Sequence, residues 1–189
     1  MIAGHFGFDA MVKSRERSVP LWALMLATVW LDVLFIPLFL AHRETVQTVH
    51  PGYAGSIIHA EYTHSFVGML ALSAVLGMMF LPRLGRRVAI VIGLVSASHW
   101  VLDLVVHRAD MPLLPANLGD LPNLGLGLWN EPRVAACVEL VLVITGAILY
   151  WRAAKDVSAK AGRSGRLASV SAAMVATFGI LVLFLDYTS

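Results

Sequence analysis

Long apolar runs separated by short basic stretches form the dominant pattern along this chain. A helix that crosses a bilayer needs about 20 mostly apolar residues. Five segments meet or nearly meet that length: roughly Leu21 to Ala41, Ile57 to Leu81, Val88 to His107, Val134 to Trp151 and Leu167 to Tyr187. The second is polar at its start. The stretch before Lys13 is apolar but too short to span, and its basic residues Lys13, Arg15 and Arg17 follow the apolar run. That order is the reverse of a secretory signal. The stretch reads as a short half-helix, lying at the interface or re-entering the bundle against protein. The expectation is an all-α membrane protein, a bundle of about five transmembrane helices with a short N-terminal half-helix, forming one domain over residues 1–189.

Composition supports this reading. Hydrophobic residues make up 58% of the 189 residues and charged ones 14%, against about 45–50% and about 25% in ordinary soluble domains. The net charge of +2 is too small to suggest a nucleic-acid partner. The single cysteine, Cys137, excludes an internal disulfide and argues against a cysteine-based zinc site. Lying in an apolar run, it is expected to be a small core residue.

The basic residues orient the bundle. Lys13, Arg15 and Arg17 precede the first span, Arg83, Arg86 and Arg87 separate the second and third, and Arg152, Lys155, Lys160, Arg163 and Arg166 separate the fourth and fifth. The other two connections, His42 to Ser56 and Arg108 to Arg133, hold three Arg and no Lys. The positive-inside rule places the three basic clusters in the cytoplasm and the C-terminus outside. Trp129 suits an anchor at the outer interface.

Against this apolar background stand ionisable residues, each costing about 2.5–3.5 kcal/mol near a bilayer centre on insertion scales. They are His5 in AGHFGF, Asp32 in ATVWLDVLF, His64 in EYTHSF, His99, Asp103 and His107 in SHWVLDLVVH, and Glu139 in ACVELVL. Positions four apart on a helix differ by about 40°, so His99, Asp103 and His107 form one stripe, which Asp110 would extend. With the expected topology, the first four spans bring these polar residues to the outer half. Imidazole and carboxylate are ordinary ligands for zinc, iron or manganese. No Lys or Arg within the spans neutralises Asp32, Asp103 or Glu139. Buried carboxylates without cations must be protonated or bind one. His42 and His50 are expected in solvated loops, while His59 and Glu61 flank the site. Arg108 could pair with Asp110 or bind an anionic group.

AGHFGF, an Asp in the first span, YTHS, and SHWVLD followed by HRADMPLLP resemble the bacterial membrane-bound metal-dependent hydrolase family, of the LexA-regulated inner-membrane hydrolase type. The resemblance covers roughly Met1 to Pro115 and implies a hydrolase of the cytoplasmic (inner) membrane. The order of polar residues is also similar to that of zinc-dependent phospholipase C. That similarity implies metal ligation by His5, Asp32, His64, His99, Asp103, His107 and Glu139. Two departures, the short gap from Asp103 to His107 and Ala135 where a His would precede Glu139 by one turn, favour one or two divalent ions, zinc first, over three.

Three functions follow. In the first, a divalent metal activates water and stabilises charge on a phosphoryl or acyl oxygen, with Asp32 or Glu139 as general base. The substrate would be a membrane lipid or lipid-linked phosphoester reached from the outer side. The second is a permease or channel for a metal ion or proton, since intramembrane His and carboxylates also mark ion paths. The third is a structural subunit whose polar residues join helices. The oligomeric state is not readable.

Overall fold

The computed structural model describes residues 1–188 as a helical bundle with one small hairpin. In chain order come α1 (Ile2–Arg15), α2 (Leu21–Thr28), α3 (Trp30–Leu40), β1 (Thr45–Thr48), β2 (Ser56–His59), α4 (Phe66–Val106), α5 (Pro132–Lys160) and α6 (Arg166–Thr188). Among the described residues three helices, α4, α5 and α6, are long and apolar enough to cross a membrane. A fourth span is added if α2 and α3, bent by 44° at Val29, are taken as one. This is fewer than the five expected, because α4 holds the second and third expected spans in one run.

That run does not continue straight. Forty-one residues of straight helix would measure about 60 Å, twice the hydrocarbon thickness of a bilayer. Gly85 breaks it with φ 80° and ψ 170°, a region open essentially only to glycine. The two halves fold back on each other: Ser73 Oγ donates to Ser96 Oγ at 2.9 Å across 23 positions of sequence. Leu76 packs against Val88, Ile92 and Val95, and Val19, Ala23, Leu24 and Ala27 complete the cluster from the α2 side.

The start of the second expected span is corrected. Residues Ser56–His59 are not helix but β2, antiparallel to β1 with Thr45 opposite His59 and Thr48 opposite Ser56. β-branched residues dominate both strands, and Pro51-Gly52 lies in the connection, as hairpins favour. α4 begins only at Phe66, capped by Ser65, whose Oγ accepts from Gly68 N at 3.1 Å. Two further N–H groups of its first turn, at Phe66 and Val67, donate to the carbonyls of Pro112 and Leu113. The 108–133 loop therefore closes over the start of α4, satisfying donors that a helix start leaves open.

α1 is a full helix packed chiefly on α5. The two cross at glycine: a Cβ on Gly7 would stand 2.5 Å from the Leu142 carbonyl carbon. The inward face of α5 repeats as Ala135, Glu139, Val143, Gly146 and Ala147. Cys137 lies off this face and is exposed, correcting its expected place in the core. Only 22% of the most apolar window of α6 is buried, and 28% of that of α5. Most of their apolar surface faces outward, as a lipid environment permits and water does not.

Candidate metal centre

Three helices, α1, α3 and α4, and the turn that precedes α4 converge where the two ends of α4 lie together. His99 and Asp103, four residues apart on its second half, point inward and are buried. His5 comes from α1, Asp32 from the first turn of α3, and His64 from the turn just before α4. The His99 Nε2 is 2.9 Å from Asp103 Oδ2 and 3.7 Å from Asp32 Oδ1. The His64 Nε2 is 3.2 Å from His99 Nε2, 3.5 Å from Asp32 Oδ1 and 3.7 Å from Asp103 Oδ2. On the other side, His5 Nε2 is 3.0 Å from Asp103 Oδ1, and the His5 ring stacks on that of His99 at 4.0 Å. Two compact ligand groups result, both containing His99: one with His5 and Asp103, one with Asp32 and His64.

These distances fit a metal. Ligands about 2.0–2.1 Å from zinc in a tetrahedron lie about 3.3–3.4 Å apart. The measured separations among His64, His99, Asp32 and Asp103, from 2.9 to 3.7 Å, scatter around that edge length. Two imidazole nitrogens pointed at each other across two carboxylates are also a poor arrangement for apolar packing. A divalent cation would satisfy either three-residue group, His5, His99 and Asp103 or Asp32, His64 and His99, and leave a coordination position open.

The surroundings fix which ring nitrogen faces the centre. The Glu44 carboxylate accepts from Tyr62 N and Thr63 N, both at 2.8 Å, and from Thr63 Oγ1. The Thr63 hydroxyl, its proton directed to Glu44, accepts from His64 Nδ1–H at 2.9 Å, which leaves the Nε2 lone pair for the centre. His107 Nδ1 likewise donates to Asp110 Oδ1 at 2.9 Å. Its Nε2 then faces the cavity, 3.9 Å from Asp103 Oδ2. Such carboxylate-backed histidines are the usual support of a metal ligand. Asp110 also accepts from Ile58 N at 3.2 Å, tying β2 to the site.

The cavity is small, about 160 Å³. His5, Asp32, His64, His99, Asp103 and His107 supply its polar wall, and Met1, Ile2, Phe35, Ile58 and Trp129 its apolar one. The Asp32 side chain is 40% exposed, whereas those of His64, His99, Asp103 and His107 are 1–6% exposed. The site therefore opens beside α3.

Glu139, expected as a ligand or general base, is buried elsewhere and belongs to neither ligand group. One oxygen accepts from Gly4 N at 3.0 Å, and the other accepts a short hydrogen bond from the Tyr53 hydroxyl. Burial pushes the Tyr53 phenol above its ordinary pKa and the Glu139 charge adds to the rise, so the phenol remains a donor. Glu139 thus fastens α1 and the 49–55 loop to α5. Arg108 is not free for an anionic group either: it donates to Asn130 Oδ1 and to the carbonyls of Ala54, Ser56 and Trp129. His42 and His50 are exposed, as expected.

The sequence reading missed Glu44, Thr63, Tyr53 and Asp9. Asp9 alone carried a signal, since it follows His5 by four residues as Asp103 follows His99. Its carboxylate is buried with both oxygens lacking a hydrogen-bond partner among the described residues. Compared with known protein families, curated proteins and solved structures, the chain matches none.

Proposed function

We propose that this protein is a membrane-embedded, metal-dependent hydrolase holding zinc and acting on a lipid or lipid-linked phosphoester from the outer side of the cytoplasmic membrane. The observation that carries the reading is the pair of three-residue ligand groups that share His99, one with Asp32 and His64 and one with His5 and Asp103, in a cavity beside α3. Two carboxylates and two neutral imidazoles balance a divalent ion and leave the site near zero net charge inside an apolar bundle. Counting each half of α4 as a crossing, about 20 residues or roughly 30 Å, and the bent α2–α3 pair as one, gives five spans. The basic clusters then lie in the cytoplasm and the site in the outer half.

A bound divalent ion would supply Lewis acidity and activation of water. The chain supplies the rest. Asp103 uses both oxygens to hold His5 and His99 in place. Asp32, the most exposed of the carboxylates, is placed to accept a proton from an attacking water at the mouth. His107, its Nδ1–H held by Asp110, presents Nε2 to the opposite wall, where its doubly protonated form would give the leaving oxygen a proton and return to the neutral ring. A cavity of about 160 Å³ is below the usual range of about 300–1,000 Å³ for whole small-molecule sites. It suits a phosphoryl headgroup whose acyl or prenyl chains remain in the bilayer.

The test uses the full chain purified in detergent and returned to nanodiscs. Metal analysis should give one or two ions of zinc per chain. Release of phosphate or phosphoalcohol from a panel of lipid phosphoesters should depend on that metal and vanish with chelator. Protein free of metal after purification and zinc reloading would defeat the proposal. Metal-loaded protein that moves zinc or protons across vesicles, and hydrolyses nothing, would turn the reading to a permease.

A further inference from the structure

His64 and His107 each have a partner for Nδ1, but His99, shared by both ligand groups, has none. Its Nδ1 is buried without a hydrogen-bond partner among the described residues. The same holds for both Asp9 oxygens and the Thr28 hydroxyl, and for Nδ1 of His5, whose ring stacks on His99. Four polar groups on three mutually packed helices, α1, α2 and α4, are therefore unsatisfied at once. Their neighbours place them together. Ala27, beside Thr28, packs in the same cluster as Val95, one turn before His99. Val12, one turn from Asp9, packs against that cluster as well. Asp9 follows His5 by one helical turn, and His5 stacks on His99.

We propose that Asp9 is the positioning residue of His99, accepting its Nδ1–H through one bridging water that also bonds the Thr28 hydroxyl, and so holding the Nε2 lone pair on the metal centre. This rests on the metal-centre reading above. A buried water commonly makes about three hydrogen bonds to otherwise unsatisfied groups, and these three groups supply them. The result is a carboxylate-backed histidine like His107–Asp110, built here from two helices. The arrangement also gives a reason for Asp9 to be where it is. A partnerless carboxylate in an apolar bundle destabilises the fold, and the HxxxD spacing on α1 is met by packing alone with any apolar residue.

The experiment compares full-length Asp9→Asn, Asp9→Leu and Asp9→Glu with the wild type. Zinc affinity is read by competition with a chromophoric chelator, and the His99 Nδ1–H resonance by spectra of histidine-labelled protein, metal-free and zinc-loaded. Asp9→Asn and Asp9→Leu should bind zinc about 10–100-fold more weakly, and Asp9→Glu should recover most of the loss. The His99 resonance should shift in the Asn and Leu variants. The metal-free thermal transition should stay or rise, which loss of a structural contact would not produce. Affinity within twofold of wild type, with the His99 resonance unmoved in folded Asp9→Asn, overturns the proposal. Should Asp9→Leu fail to fold, Asp9→Asn decides. A wild type that holds no zinc defeats the metal centre, and the His99 resonance of the metal-free protein then decides the Asp9 pairing separately.

Discussion

Asp103 and Glu139 are both carboxylates buried in long apolar helices, and both contact α1 near its start. Their partners separate them. Asp103 is surrounded by the ring nitrogens of His5, His99 and His64, groups that bind a cation as readily as they share a proton. Glu139 is met by a backbone N–H and a phenol, groups that only donate. The first arrangement gathers groups that could hold a positive ion, while the second is already satisfied. A buried carboxylate is therefore no sign of function by itself. What decides is whether its neighbours leave electron pairs or protons facing it.

The comparison breaks first, and most severely, at Asp103. Asp103→Asn keeps shape but removes the charge shared by the imidazoles, and bound zinc should fall below one-tenth occupancy in metal analysis while the protein still inserts. Full occupancy in that variant would remove Asp103 from the metal centre. Next is the supporting chain Glu44–Thr63–His64. Thr63→Val removes the acceptor of His64 Nδ1–H and should weaken zinc about 10–100-fold, measured by chelator competition. An unchanged affinity would free His64 from the centre.

Smaller effects are expected on the Glu139 side. Glu139→Gln retains one acceptor oxygen but offers N–H where a donor already points. It should cost about 1–3 kcal/mol of stability, seen in denaturation of the metal-free protein, and leave zinc affinity within a few-fold. Loss of metal without loss of stability would move Glu139 into the centre and collapse the distinction. Tyr53→Phe removes one hydrogen bond and should cost about 0.5–1.5 kcal/mol with zinc binding unchanged. A large fall in zinc binding would mean that the loop over α5 orders the site.

Much of this was legible in one dimension. Apolar run length foretold α6 nearly to its ends and the start of α5, though α5 continues past the expected Trp151 to Lys160, and the four-residue spacing of His99 and Asp103 foretold one inward stripe. Both depend on local geometry that a helix fixes regardless of its neighbours. The reversal at Gly85 was half legible: the basic Arg83 to Arg87 stretch marked a boundary, but read as a loop. A glycine at positive φ lets the helical run resume at once. The bend at Val29 left no trace, since the run is apolar on both sides. The hairpin was lost inside an expected span, because Ile57 and Ile58 serve a strand or a helix equally well.

By itself the sequence determined that these helices turn apolar surface outward, and that His5, Asp32, His64, His99 and Asp103 are too polar to do so. Hydropathy and helical periodicity are properties of each segment alone. Tertiary structure alone decided that His5 reaches Asp103 across 98 positions, that Glu139 joins α5 to Gly4 and Tyr53, that Arg108 is a clasp for loop carbonyls, and that Asp9 and Thr28 have no direct hydrogen-bond partner among the described residues. Which donor meets which acceptor depends on how helices rotate and cross, here set by close approaches such as Gly7 against α5. No residue spacing along the chain encodes that choice.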